Sequence, residues 1–157
     1  MKIIVLAGGL SPERDVSLTS GAGICKTLRE KGHQAFLLDV FFGLPYDTDK
    51  LDEVFDLPGG GLEIAEGIKT TVPDLEALKK QRPDQSDCLI GPNVLELCKM
   101  ADITFMGLHG SIGEDGKLQA MFDVLDIHYT GPNALSCTLS MLSLIHISEP
   151  TRLQLIS

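Results

Sequence analysis

The residues of this chain best suited to chemistry lie in two glycine-rich segments. In the first, Gly8 and Gly9 follow an apolar run and precede Glu13, close to the expected start of a helix. The N–H groups at a helix N-terminus attract an anionic group, whereas the Glu13 carboxylate attracts a cationic one. This pair suits a zwitterion such as an amino acid. The alternative is that Glu13, Arg14 and Asp15 are first-turn charges that only stabilise the helix dipole.

The second segment runs from His109 to Gly116 and contains three glycines, one histidine and two acidic residues. Histidine donates hydrogen bonds to carboxylates or phosphates and can change its charge near neutral pH. The alternative is a tight loop in which backbone groups satisfy His109. Neither segment carries the glycine fingerprint of a dinucleotide site or the lysine of a P-loop, so a nucleotide-binding Rossmann enzyme is disfavoured.

Apolar runs that alternate with amphipathic stretches indicate the elements that position these segments. We expect strands at 2–7, 34–40, 102–108 and 128–130, and helices at about 16–31, 93–100, 116–125 and from 133 onward. Asp15 is the expected N-cap of the first helix, and residues 41–92 are expected to form a surface insert. The predicted fold class is α/β, a parallel sheet with flanking helices. Both glycine-rich segments then fall at the carboxyl edge of that sheet.

The charge balance and the cysteine pattern exclude several classes of protein. The chain has 157 residues, and its 13 lysines and arginines against 22 aspartates and glutamates give a formal net charge of −9. This acidic balance argues against a nucleic-acid backbone as partner. Because no apolar run reaches the about 18 residues of a membrane span, no membrane partner is expected. The four cysteines form no C-x-x-C pair, and we expect neither disulfides nor a metal site.

Taken together, the two segments resemble the D-alanine–D-alanine ligase family. The resemblance rests on Gly8–Ser17 (GGLSPERDVS), His109–Gly116 (HGSIGEDG) with Gln119, Tyr129–Gly131 (YTG) and Ser136–Met141 (SCTLSM). It implies a Rossmann-like pre-ATP-grasp domain of a cytoplasmic enzyme of peptidoglycan synthesis. Such an enzyme, expected as a homodimer, would join two D-alanines with ATP and Mg²⁺.

The resemblance also implies roles for five residues. Glu13 matches the family's glutamate that holds the ammonium group of the first D-alanine. Val16 and Ser17 match its neighbours in the same pocket. His109 matches the histidine near the reacting carboxylate, in an electrostatic or an orienting role, with Gly110 beside it. These five are the expected substrate-binding residues, and Glu13 and His109 are the expected catalytic pair.

The chain departs from the family pattern after Met141, where Leu142 replaces the expected Asp-Lys pair. Residues 142–157 resemble translated sequencing-adapter read-through, so we expect a ligase N-terminal domain over 1–141 and a non-native tail after it. A natural C-terminal helix or strand is the alternative. The ATP-grasp domain would then be absent, and this fragment is expected to be inactive and to bind neither ATP nor Mg²⁺.

Two other functions are open from the sequence. The first is a stand-alone module that binds an amino acid or a small anion with the same two segments. The second is the leading domain of a D-alanine–D-lactate or D-alanine–D-serine ligase.

Overall fold

A three-stranded parallel sheet forms the centre of the molecule. In the computed structural model, which describes residues 1–45, 50–65, 67 and 73–146, the strands are β1 (Lys2–Ala7), β2 (Gln34–Asp39) and β3 (Ile103–Met106). Their order is β2-β1-β3, and both pairings are parallel. The central strand β1 is an apolar run that can be buried on both faces, and its residues Ile4–Ala7 are fully buried. The predicted α/β class is confirmed.

Helices cover both faces of the sheet. Within the described residues they are α1 (Arg14–Glu30), α2 (Leu75–Gln81), α3 (Val94–Met100), α4 (Ser111–Glu114), α5 (Lys117–Val124), α6 (Ala134–His146) and the 3₁₀ helices Leu51–Asp56 and Leu62–Ile64. On one face, α1 packs its Leu18 against Val5 of β1. On the other, Leu97 of α3 and Phe122 of α5 join the cluster that contains Leu6. None of these described helices is both long and apolar enough to cross a membrane.

The start of α1 differs from the sequence expectation. The helix begins at Arg14 rather than near Val16, and its N-cap is Glu13, so the prediction of Asp15 as N-cap is wrong. Ser11 is the reason, because its carbonyl accepts the Arg14 N–H at 3.1 Å and its hydroxyl accepts the Glu13 N–H at 3.1 Å. These two bonds close the turn before the helix and place Asp15 in the first helical turn.

The expected fourth strand at 128–130 is reduced to one bridge. Tyr129 lies beside Thr104 of β3, and two backbone hydrogen bonds of 2.8 and 3.0 Å support the pairing. The chain then enters Gly131 and Pro132, and proline has no N–H with which to extend a ladder. β3 itself ends at Met106, two residues before the expected end.

The insert at 41–92 carries both 3₁₀ helices and α2. Arg82 fastens its last part to the core, since its guanidinium lies 4.9 Å from the centre of the Phe41 ring and donates to the Ile90 carbonyl at 3.1 Å. Residues 46–49, 66 and 68–72 of the insert lie outside the described residues. Residues 147–157 of the expected tail also lie outside the described residues. The first part of that tail, from position 142 to His146, continues α6 without a break.

All four cysteines are free thiols. Cys25, Cys98 and Cys137 are buried, and Cys88 is exposed. Burial raises the pKa of the Cys98 thiol to about 12 and also raises the pKa of the Cys25 thiol. Both thiols are therefore protonated at neutral pH and are packing groups rather than nucleophiles.

A buried ion pair fixes the first turn of α1 to the end of β2. The guanidinium of Arg14 contacts the Asp39 carboxylate, and their side chains are 10% and 5% exposed. Arg14 also donates to the Gly9 carbonyl at 3.1 Å. The other Asp39 oxygen accepts the N–H groups of Phe41 and Phe42 at 2.8 and 3.0 Å. The pair therefore joins the loop after β1, the helix and the turn after β2.

The substitution Asp39→Asn should destabilise the fold strongly, because it leaves the buried Arg14 charge without a counter-charge. We expect a loss of about 3–5 kcal/mol in the free energy of unfolding. The matched control is Glu76→Gln, which removes the exposed Glu76–Lys79 pair and should cost at most about 1 kcal/mol. Urea unfolding followed by circular dichroism measures both, and equal costs for the two variants would contradict the role assigned to Asp39.

Candidate functional site

The two glycine-rich segments meet at the carboxyl edge of the sheet. The first leaves the end of β1 and leads into α1. The second follows β3, contains the short helix α4 and leads into α5. Glu13 from the first segment and His109 and Glu114 from the second converge there, with one ligand atom of each within 4.8 Å of the other two. Ligands of open α/β sheets bind at this edge.

Ser17 holds the two segments together from beneath. Its side chain is fully buried, and its hydroxyl donates to the Gly107 carbonyl at 2.7 Å and accepts the Gly8 N–H at 2.9 Å. These two bonds link α1 to the ends of β1 and β3. The Ser17 hydroxyl therefore positions the site from inside the fold, while its neighbour Val16 is 43% exposed.

Gly110 permits the close approach of the two loops. Its φ is +83°, a value that favours glycine, and an added Cβ would lie 2.5 Å from the Ser11 hydroxyl oxygen. The Gly110 N–H faces a Glu114 carboxylate oxygen at 3.4 Å. The short helix α4 thus turns the chain back so that Glu114 lies against the residue that follows His109.

His109 is half-buried, and its Nε2 lies 3.5 Å from the hydroxyl of Ser20 on α1. The imidazole therefore lies beside α1 and within 4.8 Å of both carboxylates. Sequence reasoning identified Glu13 and His109 but assigned no role to Glu114. The available signal was its spacing, since a short helical turn brings a residue five positions after His109 back toward that histidine.

The site is rich in negative charge. Glu13 and Glu114 are both exposed, and among the described residues no lysine or arginine forms an ion pair with either carboxylate. The nearby cations are bound elsewhere: Arg14 pairs with Asp39, and Lys117 pairs with Asp115 at 2.8 Å. The site thus attracts a cationic group.

The ion pair with Lys117 affects the pKa of Asp115. Burial raises the pKa of the Asp115 carboxyl, but hydrogen bonds and charge from Lys117 together outweigh that effect and leave the pKa below its usual value. Asp115 is therefore ionised at neutral pH, and its charge is neutralised by Lys117 rather than by a ligand.

The residues at this sheet edge do not fit the phosphates of ATP or a Mg²⁺ ion. The Arg14 guanidinium is bound by Asp39 and by the Gly9 carbonyl, so it is not directed at a ligand. The carboxylates of Glu13 and Glu114 would repel a phosphate. Mg²⁺ prefers an octahedral set of oxygen ligands, which the imidazole of His109 does not complete.

These features define an α/β domain with a cation-attracting cluster at the carboxyl edge of a parallel sheet. A family model described as "D-ala D-ala ligase N-terminus" matches residues 2–132. Because this match covers most of the chain, the protein belongs to the D-alanine–D-alanine ligase family. The resemblance inferred from the two glycine-rich segments is confirmed.

Individual relatives agree with the family match. The chain is 46% identical over 143 residues to a D-alanine–D-alanine ligase of Lacticaseibacillus casei, covering 90% of this chain and 39% of the relative. It is 40% identical over 144 residues to a ligase of Pediococcus pentosaceus, covering 90% and 40%. The chain thus spans about two fifths of the length of these curated relatives. They favour a ligase N-terminal domain over a stand-alone module.

A solved structure supports the fold. The D-alanine–D-alanine ligase of Bacillus anthracis complexed with ATP matches with a TM-score of 0.50 at 21% identity, covering 88% of this chain and 31% of that chain. At 21% sequence identity, this likeness is evidence for the fold and not for the function.

The substitution Ser17→Ala should destabilise the protein, because it leaves the buried Gly8 N–H and Gly107 carbonyl without their partner. We expect a loss of about 1–3 kcal/mol in the free energy of unfolding. The control is Thr19→Ala, which removes an exposed hydroxyl bonded to the Asp15 carbonyl. Urea unfolding of both variants measures the difference. A Ser17→Ala variant as stable as Thr19→Ala would show that the hydroxyl does not hold the segments together.

Proposed function

We propose that this chain provides the N-terminal, substrate-binding part of an ATP-dependent ligase that joins two D-alanines. The observation that carries the proposal is the cluster of Glu13, His109 and Glu114, which attracts a cation and lies within the range matched by the family model. The α-ammonium of an amino acid is such a cation. The ligase names of the relatives at 46% and 40% identity support D-alanine as the amino acid.

Each site residue receives a role in this proposal. Glu13 binds the ammonium group of the first D-alanine through a charge-assisted hydrogen bond. His109 and the backbone of Gly110 orient the carboxylate that will react. Val16 contributes an exposed apolar side chain at the start of α1, and Ser17 positions the loops through its buried hydroxyl. Holding the small zwitterion in one orientation lowers the entropic cost of reaction.

The chemical steps belong to the ligase as a whole. The γ-phosphoryl group of ATP would be transferred to the carboxylate of the first D-alanine with release of ADP, and Mg²⁺ would balance the phosphate charge. The amino group of the second D-alanine would then attack the acyl carbon, forming the amide bond and releasing inorganic phosphate. We assign the residues that bind ATP and Mg²⁺ to the part of the ligase that the relatives have beyond the matched region. The proposed setting is peptidoglycan synthesis in the bacterial cytoplasm by a homodimer. Four free thiols agree with a reducing compartment.

The boundary of the proposed domain is residue 141, with the insert at 41–92. The surface near this boundary is apolar: on α6, Leu135, Leu139 and Met141 are 67%, 51% and 48% exposed. Beside α6 lies a cavity of about 630 Å³. It is lined by residues of β3, of α6 and of the turn at 130–132 before α6, together with Glu114 of α4 and Gln119 of α5. We propose that the remainder of the ligase covers this surface, because exposed apolar area of this kind marks an interface.

The role of Glu13 can be tested in a chimaera in which residues 1–141 replace the matching part of the Lacticaseibacillus casei ligase. We expect the chimaera to join D-alanines and the substitution Glu13→Gln to lower kcat/KM for D-alanine. A lost hydrogen bond to a charged group costs about 1.5–3 kcal/mol, which corresponds to a decrease of about 10- to 150-fold. Phosphate release at varied D-alanine concentration measures the effect.

The control for this chimaera is Glu30→Gln, which changes an exposed carboxylate at the far end of α1. Its kcat/KM should match that of the parent chimaera. Equal activity of the Glu13→Gln and Glu30→Gln variants would contradict the ammonium-binding role. A folded chimaera without ligase activity would contradict the proposed function itself.

The 157-residue chain alone should show no phosphate release with ATP and D-alanine, because it offers one side of the proposed site. Calorimetric titration with D-alanine should likewise show no heat of saturable binding. A stand-alone binding module would instead bind D-alanine by itself. Turnover by the purified chain, or saturable binding of D-alanine, would contradict the assignment as one part of a larger site.

A further inference from the structure

The cluster at the sheet edge has the composition of a transition-metal site. Glu13, His109 and Glu114 each direct one ligand atom to a common region in which the three atoms lie within 4.8 Å of one another. One imidazole nitrogen and two carboxylate oxygens are ligands that Zn²⁺ accepts, and open zinc sites use three protein ligands with water in the remaining position. We propose that these three side chains bind one Zn²⁺ ion, which excludes the substrate ammonium from Glu13.

The geometry requires little movement. Ligand atoms about 2.0–2.2 Å from a tetrahedral zinc lie roughly 3.4 Å from one another. The two carboxylates must therefore move inward by at most ~1.4 Å, which side-chain rotations supply. Glu13 and Glu114 are exposed, and the contact of Glu114 with the Gly110 N–H is a long one of 3.4 Å that a rotation can break. His109, in contrast, is half-buried against Ser20 of α1. The imidazole is the fixed ligand, and the carboxylates close onto the ion.

The negative charges of Glu13 and Glu114 favour the binding of a dication, because no cationic side chain of the described residues neutralises them. Two carboxylates lie close together, and the described residues provide neither of them with a lysine or arginine partner. Like charges at this separation repel, and a bound dication removes that repulsion. The imidazole determines which dication binds, since imidazole ligands suit Zn²⁺ and all-oxygen sets suit Mg²⁺. The cluster therefore selects Zn²⁺ over Mg²⁺.

The consequence for ligation rests on the proposed function, whereas ion binding does not. Once Glu13 coordinates zinc, its carboxylate is no longer available to the ammonium group of D-alanine. Zinc then competes with the amino acid, and inhibition decreases as the D-alanine concentration rises.

The test is a metal titration of the 157-residue chain carrying Cys88→Ser, which removes the exposed thiol as a rival zinc ligand. Calorimetry with Zn²⁺ and the visible absorbance of Co²⁺ should both report one ion per chain, with Mg²⁺ binding far more weakly. Loss even of a group that supports a ligand weakens metal sites by about 10–100-fold. His109→Gln and Glu114→Gln remove ligands, so each should weaken zinc binding by at least ~100-fold.

The matched control is the His128→Gln variant. His128 is exposed and lies outside the cluster, so this variant should bind zinc like the parent. The melting temperature without metal identifies any variant that fails to fold, and zinc should raise the melting temperature of the parent but not of Glu13→Gln. Unchanged affinity in the cluster variants, or equal binding of Mg²⁺, would overturn the site. An active chimaera that zinc does not inhibit would overturn the competition alone, and an inactive chimaera would leave the titration intact.

Discussion

The site depends on the two hydrogen bonds made by the buried hydroxyl of Ser17. This hydroxyl is bonded at the same time to the Gly8 N–H at the end of β1 and to the Gly107 carbonyl at the end of β3. The helix that carries Glu13 and the loop that carries His109 are thereby fixed to one point. The Arg14–Asp39 pair adds the end of β2 to the same assembly. The exposed residues of the cluster are thus held by buried polar bonds one layer below.

The site is negatively charged because the neighbouring cationic side chains are paired with residues outside the cluster. Arg14 and Lys117 lie next to Glu13 and near Glu114 in the sequence, yet each is paired with an aspartate. An aspartate beside each cation leaves the glutamates uncompensated. The aspartates therefore keep the cluster negatively charged without belonging to it. This arrangement also makes the segment unfavourable for a phosphate, although it lies at a glycine-rich turn before a helix.

Much of this fold could be predicted from local pattern. The apolar run of β1 and the glycine after α1 place the first strand and the end of the first helix within about one residue. The carboxyl-edge rule brings Glu13 and His109 to the same place. Other features depend on contacts between distant residues. The early start of α1 follows from the Ser11 bonds, the inward direction of the Ser17 hydroxyl depends on Gly107, and the approach of Glu114 depends on the turn made by α4. Periodicity carries no information on such contacts.

The distance along the chain between the two halves of the site has a kinetic meaning. Ser17 and Gly107 are separated by 90 positions in the sequence, and β1 pairs with β3 across the whole insert. Contacts between residues so far apart in the sequence form slowly, because a long loop must close before they are made. The βαβ unit of β1, α1 and β2 can assemble from local contacts, but Glu13 has no His109 beside it until the last strand has docked. We therefore expect the cluster at the sheet edge to form late in folding, when β3 docks against β1.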